Sequence, residues 1–575
     1  MHILNTFHFR NLRGDLFGGV TTAIVSLPLA LAFGVASGAG PAAGLYGAVL
    51  VGLFAALFGG TPTLISEPTG PMTVIMTAVI TTMIAANPEH GLAMAFTVVM
   101  MAGLFQILLG LLRLGKYITL MPYSVISGFM SGIGVILIIL QIAPFLGQAA
   151  PPGGVIGTLQ NLPALIAGID AIEAGLGVLT LAIIFLMPAR FKRYMPPQLL
   201  ALLVGTAVSL LFIANADDIR RIGEIPVGLP ALQFPMFTPG QITTMIIDAM
   251  VLGMLGCIDT LLTAVISDSL TRTEHNSNKE LIGQGLGNIV AGLFGGLPGA
   301  GATMGTVVNI QTGARSALSG ITRALILLVV VLGAAQLTEN IPLAVLAGIA
   351  LAVGINILDW SFLKRAHKVA PSTALIMYGV MLLTVFVDLI VAVGVGVFIA
   401  NILTIDRLSE LQSRNVKSIT DADDAVQLSP AERRLLDRAN GRVLLFYLSG
   451  PMIFGVSKAI ARQHATVDRY RAMVIDLSNV PLIDVTISLA IENAIKDAVD
   501  AGCEVFVVSP DPDLHTEFER LGIAGLIPDD HMLHDRHEAL QRAVDSAVPE
   551  EDSRLLDALL TSQASAPTRR AEVEA

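Results

Sequence analysis

Charge is what this sequence has least of. Only 14% of its 575 residues are Asp, Glu, Lys or Arg, while 54% are hydrophobic and the mean hydropathy is +0.73. A soluble globular domain carries roughly 25% charged residues, so most of the chain is expected to lie in a membrane. Cysteine is nearly absent. Cys257 and Cys503 fall in different regions, which excludes a disulfide framework, and Cys257, among apolar neighbours, reads as a small core residue. The ten histidines are scattered. No HExxH, no zinc-spaced His cluster and no Ser–His arrangement stands in the apolar part, which speaks against an intramembrane hydrolase or a zinc enzyme. No Walker-type glycine loop is present, so an ATP-driven pump is not expected. The start, "MHILNTFHFRNLRGD", lacks the basic-then-apolar order of a cleaved secretion signal. The net charge of −11 says little in a membrane chain, where placement matters more.

What is present is apolar sequence of spanning length, about 20 residues at a time, recurring from Leu16 to Thr404. Fourteen segments are expected: 16–36, 41–58, 69–86, 92–112, 120–146, 171–188 and 197–214, then 243–266, 280–296, 302–313, 317–336, 341–357, 370–387 and 388–405, the last two separated mainly by Asp388. Basic residues accumulate on the cytoplasmic side of membrane proteins. With the amino terminus inside, the cytoplasmic loops carry Arg113 and Lys116; Arg190, Lys192 and Arg193; Arg272 and Lys279; Arg315; and Lys364, Arg365 and Lys368. The long outside loop after residue 146 has no Lys or Arg. Arg220–Arg221 is the exception, with Asp217, Asp218 and Glu224 as expected partners. The carboxyl terminus is then cytoplasmic too.

The composition changes after Arg407. Residues 407–439 read as a polar linker with one helix. "RVLLFYLSGPMIF", "AMVIDLSNVPLID" and "CEVFVVSP" read as buried strands, and "VTISLAIENAIKDAVDAG" as an amphipathic helix with a glycine stop. The alternation predicts a small α/β domain over 440–545, followed by a partly disordered tail over 546–575.

Two segments are broken. The third of the first seven opens with "SEPTGPM" and the third of the second seven with "GGLPGAGATMG", residues 295 to 305. Paired interruptions at corresponding positions of two halves point to a transporter's binding site. Seven segments per half, an odd number, makes the repeat an inverted one. A helix starting within the membrane exposes free N–H groups worth roughly half a positive charge, and two such ends face to face suit an anion. Pro68, Gly70 and Pro71 permit the turn into a half-helix, and Thr69 offers a hydroxyl at its mouth. The alternative is a re-entrant turn with a packing role.

Asp259, in "GCIDTLLTAV", is an ionisable group within a membrane segment, where such residues have a use or a partner. Thr263 is on the same face, one turn on. With loose carbonyls from Gly301–Thr303, these oxygens suit a hard cation; the alternative is a structural Asp bonded to a neighbouring helix. The half-helix ends roughly balance Asp259, and a bound Na⁺ restores the pull on an anion. Glu67 is expected to salt-bridge a basic side chain, cap the break or be protonated, a structural role ahead of direct ligation. Asp268 reads as a surface residue near a cytoplasmic end, Asp15 and Asp248 as segment ends, and His2 and His8 as interfacial. Pro28 is expected to kink or interrupt the first segment, bringing Ala30, Ala32 and Phe33 toward the cavity wall.

"SLPLALAFG", "SEPTGPM" and "DSLTRTEHNSNKELIGQGLGNIVAGLFGGLPGAGATMGTVVNIQTGARS" resemble the sulfate permease family, also called solute carrier family 26, and the downstream α/β unit resembles its STAS domain. Within that family, SEPTGPM, CIDTLLT and GAGATMGTVVNIQ are most similar to the sodium-dependent bicarbonate branch. The resemblance implies a polytopic α-helical fold of about fourteen segments in seven-plus-seven inverted repeats. A transport domain over 16–406, after a cytoplasmic start over 1–15, divides into a core (segments 1–4 and 8–11) and a gate (5–7 and 12–14). It further implies elevator-like sodium–bicarbonate symport in the cell membrane and a homodimer through the STAS domains, with lipid rather than nucleic acid as surroundings. Sodium is placed on Asp259, Thr263, Gly301, Ala302 and Thr303, and bicarbonate near Thr69, Ala302 and Thr303 against Phe33. No enzyme activity and no organic cofactor are implied. Another anion such as sulfate, or proton coupling, is the alternative. Two departures matter. Many family members carry Arg or another polar group where this chain has Gly305, which a mobile sodium would replace. Regulatory STAS domains have Asp-Ser-Ser where this chain has Asp484-Val485-Thr486, so phosphorylation by that route is not expected.

Overall fold

The computed structural model describes residues 4–5, 9–118, 122–192, 195–211, 219–223, 230–333, 338–365, 368–387, 389–413, 415–420, 426–452, 456–464, 470–509 and 512–548. Expectations resting on His2, His8, Arg193, Asp217, Asp218, Glu224, Asp388 and the tail beyond 548 lie outside them. By internal contacts the chain forms two units, residues 1–400 and 401–575.

The first unit is helical. Its long helices are α1 (Leu12–Ser37), α2 (Pro41–Phe58), α3 (Gly70–Ala86), α4 (Gly91–Leu111), α5 (Tyr123–Phe145), α6 (Ala171–Leu186) and α7 (Pro197–Leu211). Then come α8 (Ile242–Thr271), α9 (Ser277–Leu293), α10 (Thr303–Gln311), α11 (Leu318–Gly333), α12 (Leu343–Ile357), α13 (Pro371–Phe386) and α14 (Leu389–Ser413), which runs past the unit boundary. Each of the fourteen expected stretches thus holds a helix. Among the described residues, five are long and apolar enough to cross a membrane, and six more are shorter apolar helices. Two short extended pieces, β1 (Ser66–Glu67) and β2 (Ala300–Gly301), precede α3 and α10.

Packing divides the helices into two groups. In one, α9 lies on α4 and α2, α8 on α4, and α1 and α2 on α11, with α3 and α10 among them; in the other, α5 packs on α12 and α13, and α6 on α12 and α7. The groups meet through α1 and α3 against α5, α7 and α12. The pairings recur when seven is added to each helix number: α1 with α11 mirrors α8 with α4, α1 with α10 mirrors α8 with α3, and α1 with α2 mirrors α8 with α9. The α4–α9 crossing needs glycine. A Cβ on Gly103 would sit 2.5 Å from the Gly285 carbonyl oxygen, and a Cβ on Gly285 would strike Gly103. Small residues let apolar helices approach where no hydrophobic force between them operates.

Pro28 does not interrupt α1, which stays helical from Leu12 to Ser37. Packing of α1 on α2, α3, α7, α10, α11 and α12 outweighs the one backbone bond the proline removes.

The second unit is an α/β fold on one five-stranded sheet in the order β3 (Val416–Ile419), β4 (Val443–Ser449), β5 (Ala472–Asn479), β6 (Glu504–Val508), β7 (Met532–Leu533). β3 runs antiparallel to β4 and the other pairs are parallel. Helices α15 (Pro430–Ala439), α16 (Ser457–His464), α17 (Val485–Asp500), α18 (Pro512–Arg520) and α19 (Arg536–Ala547) complete it. Two apolar clusters lie on the sheet, one involving α16–α18 and the other α15 and α19. The stretch 407–439 therefore carries β3 as well as its one expected complete helix. Only the two ends of β3 are buried, so its hydrophobic pattern is too thin to read. Asp484 caps α17 through the Ile487 N–H, and Val485 is 57% exposed.

Candidate functional site

β1 and β2 are antiparallel, Ser66 opposite Gly301 and Glu67 opposite Ala300. The two interrupted segments therefore touch along their extended parts, and each turns into a helix two or three residues later. Thr69 is the N-cap of α3; its Oγ1 accepts from the Met72 N–H at 3.5 Å. Pro71 sits in the first turn, where a missing N–H costs nothing. α10 starts after Ala302 with no side-chain cap, so its first N–H groups are free of a local acceptor of that kind.

Irregular backbone inside an apolar unit must find partners, and α8 and α9 supply them. Asn288 accepts from the Gly299 N–H at 2.8 Å and donates to the Gly299 carbonyl at 3.1 Å, which Gln284 also bonds at 2.8 Å. Ser66 donates to Gln284 at 2.8 Å. Thr260 accepts from Gly301 N–H at 3.0 Å, and Ala302 N–H donates to the Ile65 carbonyl at 2.8 Å.

Asp259 stands beside this frame, 6% exposed, accepting a 2.8 Å hydrogen bond from the Thr69 hydroxyl. Thr263 lies 2.9 Å from both the Gly301 carbonyl oxygen and Thr303 Oγ1. The structure thus brings Thr69 to Asp259, and Thr263 to Gly301 and Thr303, with Ala302 between. Thr303 is exposed at the mouth of α10, and its neighbour Met304 meets Gln198 of α7. Phe33 is buried in the apolar cluster of this unit, as are Ala30 and Ala32.

Among the described residues, the other buried carboxylates of the unit are all answered. Glu67 pairs with Arg323 at 2.5 Å, and Glu173 with Arg220 at 2.8 Å. Glu280 accepts from the Gly60 and Thr61 N–H groups at 2.7 Å each. Asp15 accepts from the Arg315 and Ser316 N–H groups and the Ser316 hydroxyl. Among the described residues no ion pair includes Asp259; its hydrogen-bond partner is one hydroxyl. Oxygen donors from a carboxylate, hydroxyls and a carbonyl match what a hard cation takes. No cluster of three or more His, Cys, Asp or Glu stands among the described residues, so a transition-metal centre of that kind is not formed there.

Several sequence expectations change. Arg220, at the outside-loop exception, pairs with Glu173. Arg221 donates to the Asn340 carbonyl and to Ser209. Asp15 starts a segment but is fully buried as an anchor for residues 315–316. Asp268 is no lone surface group: it lies 2.6 Å from His275 Nδ1, whose Nε2 is 2.9 Å from Ser277 Oγ. The turn between α8 and α9 folds residues 268, 275 and 277 together, so this Ser–His contact stands in a polar loop and outside the apolar part. A cavity of about 570 Å³ opens beside Thr63, Asp268, His275, Lys279 and Arg315, but Ser277 does not line it. Arg323 escaped the sequence reading. It sits in "GITRALILL", an apolar run in which any charge signals a partner or a use.

The sulfate permease family model matches residues 12–380, and the STAS domain model matches 435–539. The chain is 64% identical over 547 residues, 95% of its length and 97% of the relative's, to the bicarbonate transporter BicA of Picosynechococcus sp.. It is 65% identical over 551 residues, 96% and 98% of the two lengths, to that of Synechocystis sp.. Among solved structures, the transmembrane domain of a cyanobacterium bicarbonate transporter BicA superposes with a TM-score of 0.66 at 68% identity, covering 68% of this chain and all of that one. The murine solute carrier 26 family member A9 anion transporter in the inward-facing state shares the fold, with a TM-score of 0.79 at 19% identity, covering 94% and 92%.

Proposed function

The chain belongs to the sulfate permease family, and on that premise we propose that it takes up bicarbonate into the cell by symport with sodium. Sodium rests on Asp259, Thr263, Gly301, Ala302 and Thr303. Bicarbonate lies at the mouths of α3 and α10, near Thr69, Ala302 and Thr303, with Phe33 of α1 toward the wall. The half-helix ends carry positive partial charge, the Asp259 carboxylate offsets it, and the metal ion tips the balance toward the anion. One observation carries the reading: among the described residues, Asp259 is the buried carboxylate of the helical unit with neither a cationic side chain nor a backbone N–H answering it.

The helix pairings that recur under a shift of seven support an inverted repeat of fourteen crossings, with both termini in the cytoplasm. The group α1–α4 with α8–α11 is then the core that carries the site. The group α5–α7 with α12–α14 is the gate, past which the core moves as an elevator. The STAS unit holds a homodimer together. Transport, not catalysis, is the activity.

Uptake of labelled bicarbonate into proteoliposomes, with and without an inward sodium gradient, tests the coupling; equal uptake in both would refute it. A second reading has one specific support. A carboxyl whose partner is a hydroxyl also suits a protonated acid, so proton coupling is the competitor, and a pH gradient without sodium separates the two. Competition by sulfate and other anions tests the choice of substrate.

A further inference from the structure

We propose that the buried Glu67–Arg323 pair sets the sodium requirement, acting as an internal charge balance for the site rather than as scaffolding alone. This rests on the sodium-symport reading above.

Arg323 of α11 is 0% exposed, and each of its three nitrogens donates a hydrogen bond. Its Nε donates to Ser26 Oγ at 2.8 Å, one terminal nitrogen to the Ser66 and Ala48 carbonyls at 3.1 and 3.3 Å, and the other to Glu67 Oε2 at 2.5 Å. The guanidinium therefore holds the β1 backbone that leads into α3. The other oxygen of Glu67, Oε1, lies toward the first turn of α10. A Cβ on Gly305, in the first turn of α10, would lie 3.2 Å from Glu67 Oε1. The carboxylate thus stands two residues from Thr69 along the chain and against the opening turn of the facing half-helix. No side chain at 305 separates them.

Such a position decides the sum of charge at the site. With the pair intact, Glu67 and Arg323 cancel, and the half-helix ends are left to offset Asp259. Neutralising Glu67 leaves Arg323 as a fixed cation beside the anion; neutralising Arg323 leaves a second fixed anion beside the sodium. By Coulomb's law, two unit charges about 10 Å apart at an effective permittivity near 20 interact strongly enough to change binding on the order of tenfold, and an unbalanced charge near the site is expected to act on that scale.

The test is a charge cycle on the full-length protein in proteoliposomes. It reads the half-saturating sodium concentration, the bicarbonate KM and uptake in the absence of sodium. Glu67→Gln is expected to raise sodium-free uptake and to raise half-saturating sodium about tenfold. Arg323→Gln is expected to do the reverse, with sodium binding tighter and bicarbonate KM higher. The Glu67→Gln/Arg323→Gln double variant is expected to return to wild-type sodium dependence. A scaffolding role would lower the rate in both single variants without opposite shifts, and that result overturns the proposal. Removing one partner of a buried pair is strongly destabilising, so the double variant and Glu67→Asp, which keep the sum of charge, serve as independent checks. Either of them becoming sodium-independent also overturns it. Sodium-independent uptake by the wild type, in contrast, defeats the symport reading itself.

Discussion

Asp259 and Thr69 form the contact on which the chemistry turns. The hydroxyl donates to the carboxylate and caps α3 with the same oxygen, so under the proposed symport one side chain links the cation side of the site to the anion side. Asp259→Ala is expected to abolish sodium stimulation of uptake while folded protein still reaches the membrane, which size-exclusion chromatography of the purified variant checks. Thr69→Ala removes a cap worth about 1 kcal/mol and one donor to the carboxylate. Its half-saturating sodium concentration should change about fivefold, and Thr69→Ser should restore it. These positions were legible in the sequence because a carboxylate and two proline–glycine breaks stand out against apolar runs. Arg323, Asn288 and Gln284 were not read. Their roles depend on β1 and β2 meeting, and no local pattern announces a contact between residues more than 200 apart in the chain. The interruption expected at Pro28 failed for the same reason, since neighbouring helices decide whether a proline breaks α1.

Elements carry the next level of stability. The α4–α9 crossing at Gly103 and Gly285 brings backbone to backbone, and α9 supplies Gln284 and Asn288 to β2. Gly285→Leu overpacks that crossing, which costs typically 1–3 kcal/mol or more. It should lower the amount of folded protein in the membrane, measured by detergent extraction and thermal unfolding. In the α/β unit, Arg536 of α19 lies 2.7 Å from Glu432 of α15 and 3.2 Å from Asp476 of β5. Burial pushes the Glu432 carboxyl up, but bonds from Arg536 and Ser429 together hold it below the ordinary glutamate range. Stability from this group is present above the unfolded-state value. It is lost as pH falls through the lower folded-state value. Hydrogen exchange should therefore show α15 and β5 losing protection below about pH 4, and Glu432→Gln should flatten that loss. In this unit β4, β5 and β6 were legible as apolar runs and α17 from its helical periodicity, while α16, α18, β7 and α19 were not read. The thin edge strand β3 was not legible either, because only Val416 and Ile419 are buried along it.

At the scale of the molecule, the order of helices follows the hydrophobic runs closely, because a spanning segment must be long and apolar wherever it sits. The arrangement is harder to read, since it depends on which faces pack. In the structure, β1 and β2 hold the starts of α3 and α10 together, α8 brings the Asp259 carboxylate to their junction against the Thr69 hydroxyl, and α9 bonds the backbone ahead of β2. The most direct test is paired flux of labelled sodium and labelled bicarbonate in one preparation of proteoliposomes, for the wild type and Asp259→Ala. The account predicts that in the wild type each ion's entry requires the other, and that the variant loses both. Bicarbonate entry that ignores sodium in the wild type, or coupled flux that survives without the Asp259 carboxylate, would contradict it.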